Sequence, residues 1–165
     1  MCFKKYLCVS KNIYVLIKFN SKKMRPTNTI NAFFKAIIDK KAAKIGEFYV
    51  QDEETYVVLE GPRLTTLGFD NVQKDWVDFC NSNLTMDKIE WLEGPFAEAG
   101  TKLAWLGGVI KLTVSVGAEK TFEQTFRASF VLKKDAKTNN WLIRHEHVSG
   151  ALADPYGIGD WLKNK

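Results

Sequence analysis

Residues 139–150, NNWLIRHEHVSG, contain both histidines of the chain. The stretch follows the turn-forming run DAKTN and alternates apolar with polar residues, a pattern that predicts a final β-strand. Successive side chains of a strand point to opposite faces. One face of a regular strand would carry Trp141, Ile143, His145, His147 and Ser149. The other face, typical of a solvated or subunit-facing surface, would carry Leu142, Arg144, Glu146 and Val148.

Three longer segments upstream also read as strands. They are LTMDKIEWLEG (84–94), KLAWLGGVIKLTVSVG (102–117) and TFEQTFRASFVLKK (121–134), separated by the turn-rich runs GPFAEAG and GAEK. Gly107 and Gly108 predict a bulge or sharp bend in the middle segment. A short strand is predicted earlier, in ETYVVLEGP (54–62).

The segments before these strands are helical in pattern. Residues 27–50 have apolar residues at helical spacing, at Ile30, Phe33, Phe34, Ile37 and Ile38, and Thr27 or Asn28 is expected to cap the first helix. A second short helix is expected over about 40–48 and a third from about Asp70. Helices followed by long antiparallel strands predict an α+β fold, with the helices on one face of a sheet that bends around a pocket.

Charge divides the chain into an arm, residues 1–25, and a single domain, residues 26–165. The arm holds seven of the 24 basic residues and no acid, which leaves 17 basic against 19 acidic residues, a net charge of −2, in the domain. A nucleic-acid-binding domain would carry a basic stripe on its folded body, so we expect no nucleic-acid partner. The arm is either a membrane-surface segment or an extension before a translation start at Met24.

Cysteine and apolar content limit the remaining classes. Cys2, Cys8 and Cys80 lack CxxC spacing, which argues against a disulfide framework or a zinc site and fits a reducing cytoplasm. No apolar run approaches the ~20 residues of a membrane-spanning helix. We therefore expect a cytoplasmic protein without a membrane span. His145 and His147 lack a third nearby ligand, so we expect no metal, and no cofactor is expected.

The motifs LAWLGG (103–108), FRASFVLKKD (126–135) and WLIRHEHVSG (141–150) resemble the SnoaL-like branch of the nuclear-transport-factor-two-like superfamily. They are also similar to the association domain of calcium/calmodulin-dependent kinase. The resemblance implies a cone of about three helices against a curved antiparallel sheet, with a pocket between them. It also implies a homodimer or larger homo-oligomer. One fold of this kind supports many activities.

The expected site lies on the face of the last strand that carries the histidines. His145 and His147 are the candidate catalytic bases, because a neutral imidazole accepts protons. The candidate ligand-binding residues are Arg127, Tyr49, Trp76, Trp105, Ser129 and Trp141. Arg127 would anchor an anion, or instead pair with a carboxylate such as Glu123. His145 would line the pocket, or instead form a hydrogen bond within the core.

Two functions follow from these residues. The first is binding of a small acidic or carbonyl-bearing organic molecule; if the chain is an enzyme, it would be a cofactor-free isomerase, cyclase or dehydratase using acid/base catalysis. The second is a non-enzymatic oligomerisation module. Its expected interface is an apolar outer stripe formed by Phe122, Phe126, Phe130 and Leu132.

Overall fold

The computed structural model describes residues 25–61, 63–117 and 120–151. The predicted arm, apart from Arg25, lies outside the described residues. The tail DPYGIGDWLKNK (154–165), for which the sequence predicts a last turn of helix, also lies outside them. The division into an arm and a domain therefore stays a prediction.

Three helices precede the long strands. They are α1 (Pro26–Ile38), α2 (Ala42–Gly46) and α3 (Phe69–Asn81). Arg25 occupies the N-cap of α1 and Pro26 begins the helix, so the expected caps Thr27 and Asn28 lie inside it. Proline suits the first helical position because its missing N–H would have no helical partner there. The apolar face of α1 is buried as the spacing predicts.

The strands form one six-stranded sheet. Their bounds are β1 (Tyr56–Val58), β2 (Thr66–Leu67), β3 (Leu84–Ala99), β4 (Leu103–Val116), β5 (Lys120–Lys134) and β6 (Trp141–Gly150), in the spatial order β2-β1-β6-β5-β4-β3. All neighbours are antiparallel except β1 and β6, which run parallel. The α+β class is confirmed, but the sheet is mixed rather than purely antiparallel.

Strand β3 continues through the run GPFAEAG, which the sequence predicts as a turn. Its pairing with β4 shifts register at Met86/Lys88, Trp91/Glu93 and Glu93/Phe96, and these irregularities accommodate Gly94 and Pro95 within the strand. Proline lacks a ladder donor and is therefore tolerated at bulges and on edge strands. Because β3 is an edge strand, the expected turn becomes a distorted continuation of the sheet.

The core lies between the helices and one face of the sheet. Phe33 of α1 is fully buried, and its ring packs against those of Phe34, Phe48, Tyr49, Trp76 and Phe130. Phe126, Phe130 and Leu132 of β5 face this core and are at most 7% exposed. The expected outer stripe on β5 is therefore wrong, because these three residues point inward and Phe122, which is 37% exposed, lines the pocket on the same side.

A β-bulge divides the last strand into two halves of opposite phase. Leu132 of β5 pairs with Ile143, but Val131 pairs with His145, so Arg144 is an extra residue. Trp141 and Ile143 face the core before the bulge, and Glu146 faces it afterwards, with 2% of its surface exposed. A one-residue shift exchanges the faces of a strand. The prediction that His145 and His147 share the face of Trp141 is therefore wrong.

The segment beside β6 accounts for the position of the bulge. Tyr49 bridges Ile143, and Tyr56 pairs with His145, so the loop between Tyr49 and Tyr56 lies opposite Arg144. The Arg144 guanidinium forms an ion pair with Asp52, and its Nη2 lies 2.5 Å from Glu54 Oε2. Desolvation is the largest single influence on Asp52 and opposes its charge, but the hydrogen bond and charge of Arg144, together with the backbone N–H of Glu54, outweigh it and lower the pKa of Asp52. The side chain of the extra residue thus forms ion pairs with the loop.

We expect the two adjacent glycines of β4 to differ in their tolerance of a side chain. A Cβ at Gly108 would lie 2.3 Å from the backbone oxygen of Glu93, whereas at Gly107 it would meet only the Trp105 ring, at 3.2 Å. Gly108→Ala should lower the free energy of unfolding by about 2–3 kcal/mol and Gly107→Ala by less than about 1 kcal/mol. Urea unfolding followed by circular dichroism measures both; equal losses would contradict this account of the distorted strand.

Candidate functional site

A pocket of about 300 Å³ opens between the helices and the core-facing side of the sheet. Its walls are mostly apolar, and their main residues are Phe34, Ile37, Leu84, Met86, Ile89, Ile110, Leu112, Val114, Phe126 and Val148. Pockets for small organic molecules combine apolar walls with a few placed polar groups. The polar groups of this pocket are Glu60, Gln124, Glu146 and the indole of Trp76.

Glu146 is the buried polar group of the pocket. Its Oε2 accepts a hydrogen bond from the hydroxyl of Tyr49, which in turn accepts one from Trp76 Nε1 at 3.1 Å. Tyr49 is the hydrogen-bond partner of the carboxyl among the described residues. Tyr49 comes from the segment after α2, Trp76 from α3 and Glu146 from β6. The polar network therefore links three parts of the fold.

The apolar surroundings control the protonation of this network. Burial raises the pKa of Glu146 to about 7, and the hydrogen bond from Tyr49 acts in the opposite direction. Burial and the charge of Glu146 raise the pKa of Tyr49 well above its usual value. Near neutral pH, Tyr49 is therefore a hydrogen-bond donor, whereas Glu146 is divided between acid and base. Such a carboxyl is suited to transferring protons at this pH.

The mouth of the pocket carries a second carboxylate. Glu60, two residues beyond β1, accepts a hydrogen bond through Oε2 from the backbone N–H of Gly150 at 2.7 Å. Gln124 of β5 lies beside it. Among the described residues, no lysine, arginine or histidine lines the pocket. This composition does not match a pocket for an acidic ligand.

A second cavity of about 130 Å³ adjoins the pocket on the side of α3. Both spaces are lined by Leu59, Trp76 and Met86, so these side chains form the partition between them. The far wall of the second cavity includes Asp75, whose carboxylate binds Arg63 Nη1 at 2.7 Å and accepts a hydrogen bond from Thr66 at 3.0 Å.

The structure separates the predicted site residues into three groups. Trp76 lines the pocket and Tyr49 binds its buried carboxyl, so a ligand-binding role for them stays a prediction. Trp141 is buried in the core, with the Lys134 ammonium 5.0 Å from its ring centroid, and does not line the pocket. The remaining predicted residues lie on the outer face of the sheet: Trp105, Arg127, Ser129, His145 and His147.

Contacts on the outer face account for His145 and Arg127. His145 Nδ1 lies 3.0 Å from the carbonyl oxygen of Tyr56. The imidazole of His145 and the phenol ring of Tyr56 stack with their centroids 5.4 Å apart. Arg127 Nη2 donates to the carbonyl oxygen of Gly150 at 2.7 Å. The expected ion pair between Arg127 and Glu123 is wrong, because Glu123 pairs with Lys111 instead. The imidazoles and this guanidinium face away from the pocket.

Sequence reasoning placed Glu146 on a solvated surface and so missed the central residue of the site. One signal was present. The start of the strand is apolar at three successive positions, Trp141, Leu142 and Ile143, and the next apolar position, Val148, does not share the parity of Trp141 and Ile143. A change of parity within one strand indicates an inserted residue. A bulge between Ile143 and Val148 would have turned Glu146 inward with Val148.

Comparison with solved structures identifies the fold as that of nuclear transport factor 2. A protein of the nuclear transport factor 2-like superfamily from Salmonella enterica serovar Typhimurium aligns with a TM-score of 0.67 and 19% sequence identity. The alignment covers 81% of this chain and 94% of that one. A ketosteroid isomerase-like protein from Erwinia carotovora atroseptica aligns with a TM-score of 0.66 and 14% sequence identity. The alignment covers 82% of this chain and 100% of that one. A candidate calcium/calmodulin-dependent protein kinase II association domain from Xanthomonas campestris aligns with a TM-score of 0.60 and 14% sequence identity. The alignment covers 76% of this chain and 84% of that one.

These identities establish the shared architecture alone. No family model matches the sequence, and no curated protein matches it. Within the described residues, no group of three histidine, cysteine or acidic side chains is placed to hold a metal ion. None of the described helices combines the length and apolar character needed to traverse a bilayer.

The raised pKa of Glu146 predicts a pH dependence of stability. Between about pH 4.5 and 7 the carboxyl ionises in the unfolded chain but stays protonated in the folded one. The unfolded state then binds fewer protons, so the free energy of unfolding falls as pH rises. Urea titrations at several pH values should show the wild type losing about 3 kcal/mol relative to Glu146→Gln across this window.

The matched control is Glu98→Gln, which changes an exposed carboxylate on β3. This variant should follow the wild-type dependence on pH. A Glu146→Gln protein whose stability falls in parallel with the wild type would show that Glu146 ionises normally in the folded state.

Proposed function

We propose that this protein binds a small, mostly apolar, carbonyl-bearing molecule and transfers a proton next to the carbonyl, as a cofactor-free isomerase, cyclase or dehydratase. The observation that supports the proposal is a single buried carboxyl, Glu146, with a pKa of about 7 inside an apolar pocket. The acidic ligand considered from the sequence is not proposed, because the described lining has two carboxylates and no cation.

The chemistry requires only this carboxyl and a substrate with an acidic C–H bond. In its ionised form, Glu146 takes a proton from the carbon next to the carbonyl, and the electron pair moves to the carbonyl oxygen as an enolate. Glu146, now neutral, returns the proton to another carbon of the conjugated system, and the carbonyl forms again. Protons and electrons balance without a cofactor.

Tyr49 and Trp76 are positioning residues in this scheme. The Tyr49 hydroxyl holds one carboxyl oxygen of Glu146, and the indole of Trp76 fixes the hydroxyl. The apolar wall excludes water, which strengthens electrostatic interactions with the developing enolate. The fold adds little to this argument, since it is shared by proteins with many functions. On the motifs of β4, β5 and β6, we propose that the chain belongs to the SnoaL-like branch.

Proton exchange on a simple ketone tests the proposed chemistry. The protein should catalyse replacement of the α-hydrogens of 2-octanone by deuterium in D₂O, followed by NMR. Glu146→Gln should slow the catalysed exchange by about 100-fold or more, because it removes the proton carrier. Tyr49→Phe should move the midpoint of the pH profile upward, since the hydroxyl lowers the pKa of Glu146.

His145→Gln and His147→Gln are the controls, because both imidazoles lie on the outer face. Exchange should be unchanged in both variants. Exchange that survives in Glu146→Gln but is lost in either histidine variant would transfer the chemistry to the imidazoles and overturn the proposal.

A second proposal, assembly into a homodimer or larger homo-oligomer, is supported by the outer face. Phe96, Leu103 and Trp105 are each about half exposed there, at 56%, 57% and 47%, and the Trp105 ring lies over Gly107. Exposed apolar clusters of this kind mark interaction surfaces. They replace the phenylalanine stripe of β5, which is buried.

Trp105→Glu should therefore reduce the mass of the assembly, because it places a charge in the proposed interface. Leu64→Glu is the matched control: Leu64 is 89% exposed and lies in the loop before β2. Light scattering coupled to size exclusion measures both. A monomeric wild type, or equal effects of the two substitutions, would contradict an interface on the outer face.

A further inference from the structure

The two carboxylates of the pocket lie at opposite ends of one stretch of β6. Glu146 pairs with Phe130, and Gly150, whose N–H binds Glu60, pairs with Phe126. A strand advances about 3.3 Å per residue, so the four residues from Glu146 to Gly150 place the two ends about 13 Å apart. The wall between them is apolar, with Phe126 and Val148 facing the pocket.

Gly150 leaves the mouth of the pocket open beside Glu60. A Cβ at this position would lie 3.5 Å from Glu60 Oε2 and 3.9 Å from Gln124 Nε2. Because Gly150 has no side chain, it fills none of the space beside these two polar heads in the described part of the chain. The Glu60 carboxylate is fixed by the backbone of Gly150 and keeps its remaining acceptor positions for a ligand.

The described lining does not neutralise the charge at the mouth. It includes no lysine, arginine or histidine. The guanidinium of Arg127 also reaches Gly150, but it binds the carbonyl oxygen from the outer face of the sheet. A cation at the mouth would therefore be attracted and an anion repelled.

We propose that the ligand is an elongated molecule with its carbonyl at the Glu146 end and a cationic nitrogen at the Glu60 end. This inference rests on the proposed function, because it takes the carbonyl at Glu146 as given. It adds the class of the substrate: an amino or quaternary ammonium ketone or aldehyde whose charged head stays at the mouth. Glu60 is the residue that determines this specificity.

Three matched probes separate the two ends of the pocket. They are 2-octanone, its ω-trimethylammonium derivative (7-oxooctyl)trimethylammonium, and its ω-carboxylate derivative 7-oxooctanoate. Affinities are measured by calorimetry on the full chain at low salt. The ammonium ketone should bind about five-fold more tightly than 2-octanone, as for a partly exposed ion pair, and the oxo acid more weakly by a similar factor.

Glu60→Gln isolates the contribution of the mouth carboxylate. Glutamine keeps an oxygen to accept the Gly150 N–H, so the local structure is preserved while the charge is lost. The variant should bind all three probes with similar affinity, so that the preference for the ammonium ketone over 2-octanone is lost. Glu98→Gln, which changes a carboxylate outside the pocket, should retain the preference for the ammonium ketone.

The outcomes distinguish this inference from the proposed function. Binding of 2-octanone without any preference for the cationic probe would overturn the inference and leave the proposed function standing. A preference for 7-oxooctanoate that Arg127→Gln abolishes would overturn it in favour of an anion site at Arg127. Failure of every probe to bind would reject the proposed function itself.

Discussion

The burial of the pocket's carboxyl depends on one extra residue in β6, Arg144, whose guanidinium forms ion pairs with the loop carboxylates of Asp52 and Glu54. Without it, the regular alternation of the strand would place two imidazoles at the pocket and a carboxylate on the opposite face. With it, Glu146 is enclosed by apolar side chains, and the histidines are stacked or exposed outside. The register shift at Arg144 thus determines which titratable group is buried.

Burial of Glu146 sets function against stability. A carboxyl held in apolar surroundings resists ionisation, and the folded state is destabilised as the pH approaches neutrality. The hydrogen bond from Tyr49 opposes this destabilisation, and the aromatic cluster around Phe33 supplies packing on the other side of Tyr49. The same apolar surroundings that destabilise the anion keep a proton on Glu146 at a pH where most carboxylates have lost theirs. Strain of this kind is typical of acid and base groups in enzymes.

The architecture followed from the sequence because it depends on regular patterns. Helical spacing in residues 27–50 and alternation in the long strands specify which faces are apolar, and apolar faces must pack together. The location of a pocket between helices and sheet was also accessible in this way. The resemblance of three strand motifs to a known fold added the order of the elements.

The site was less accessible because it depends on exceptions to those patterns. Alternation predicts which face a side chain occupies only while the strand pairing is regular. Arg144 interrupts that pairing, and its ion-pair partners lie 90 and 92 residues away in the chain. The inward direction of Phe126 and Phe130 likewise depends on which face of β5 the helices cover. An apolar stripe in a sequence does not show whether it faces the core or an interface. Trp76 lines the pocket and Tyr49 binds Glu146, but the sequence did not predict a place for Glu146 there.

The partition between the pocket and its neighbouring cavity is built from side chains rather than backbone. Leu59, Trp76 and Met86 separate spaces of about 300 and 130 Å³. A methionine is flexible and adapts its shape to its surroundings. The upper limit on ligand size is therefore not fixed by the curvature of the sheet. Rotation of Met86, or its replacement by a smaller residue, would join the two chambers and admit a branched or longer molecule while the Glu146 end of the pocket stayed in place.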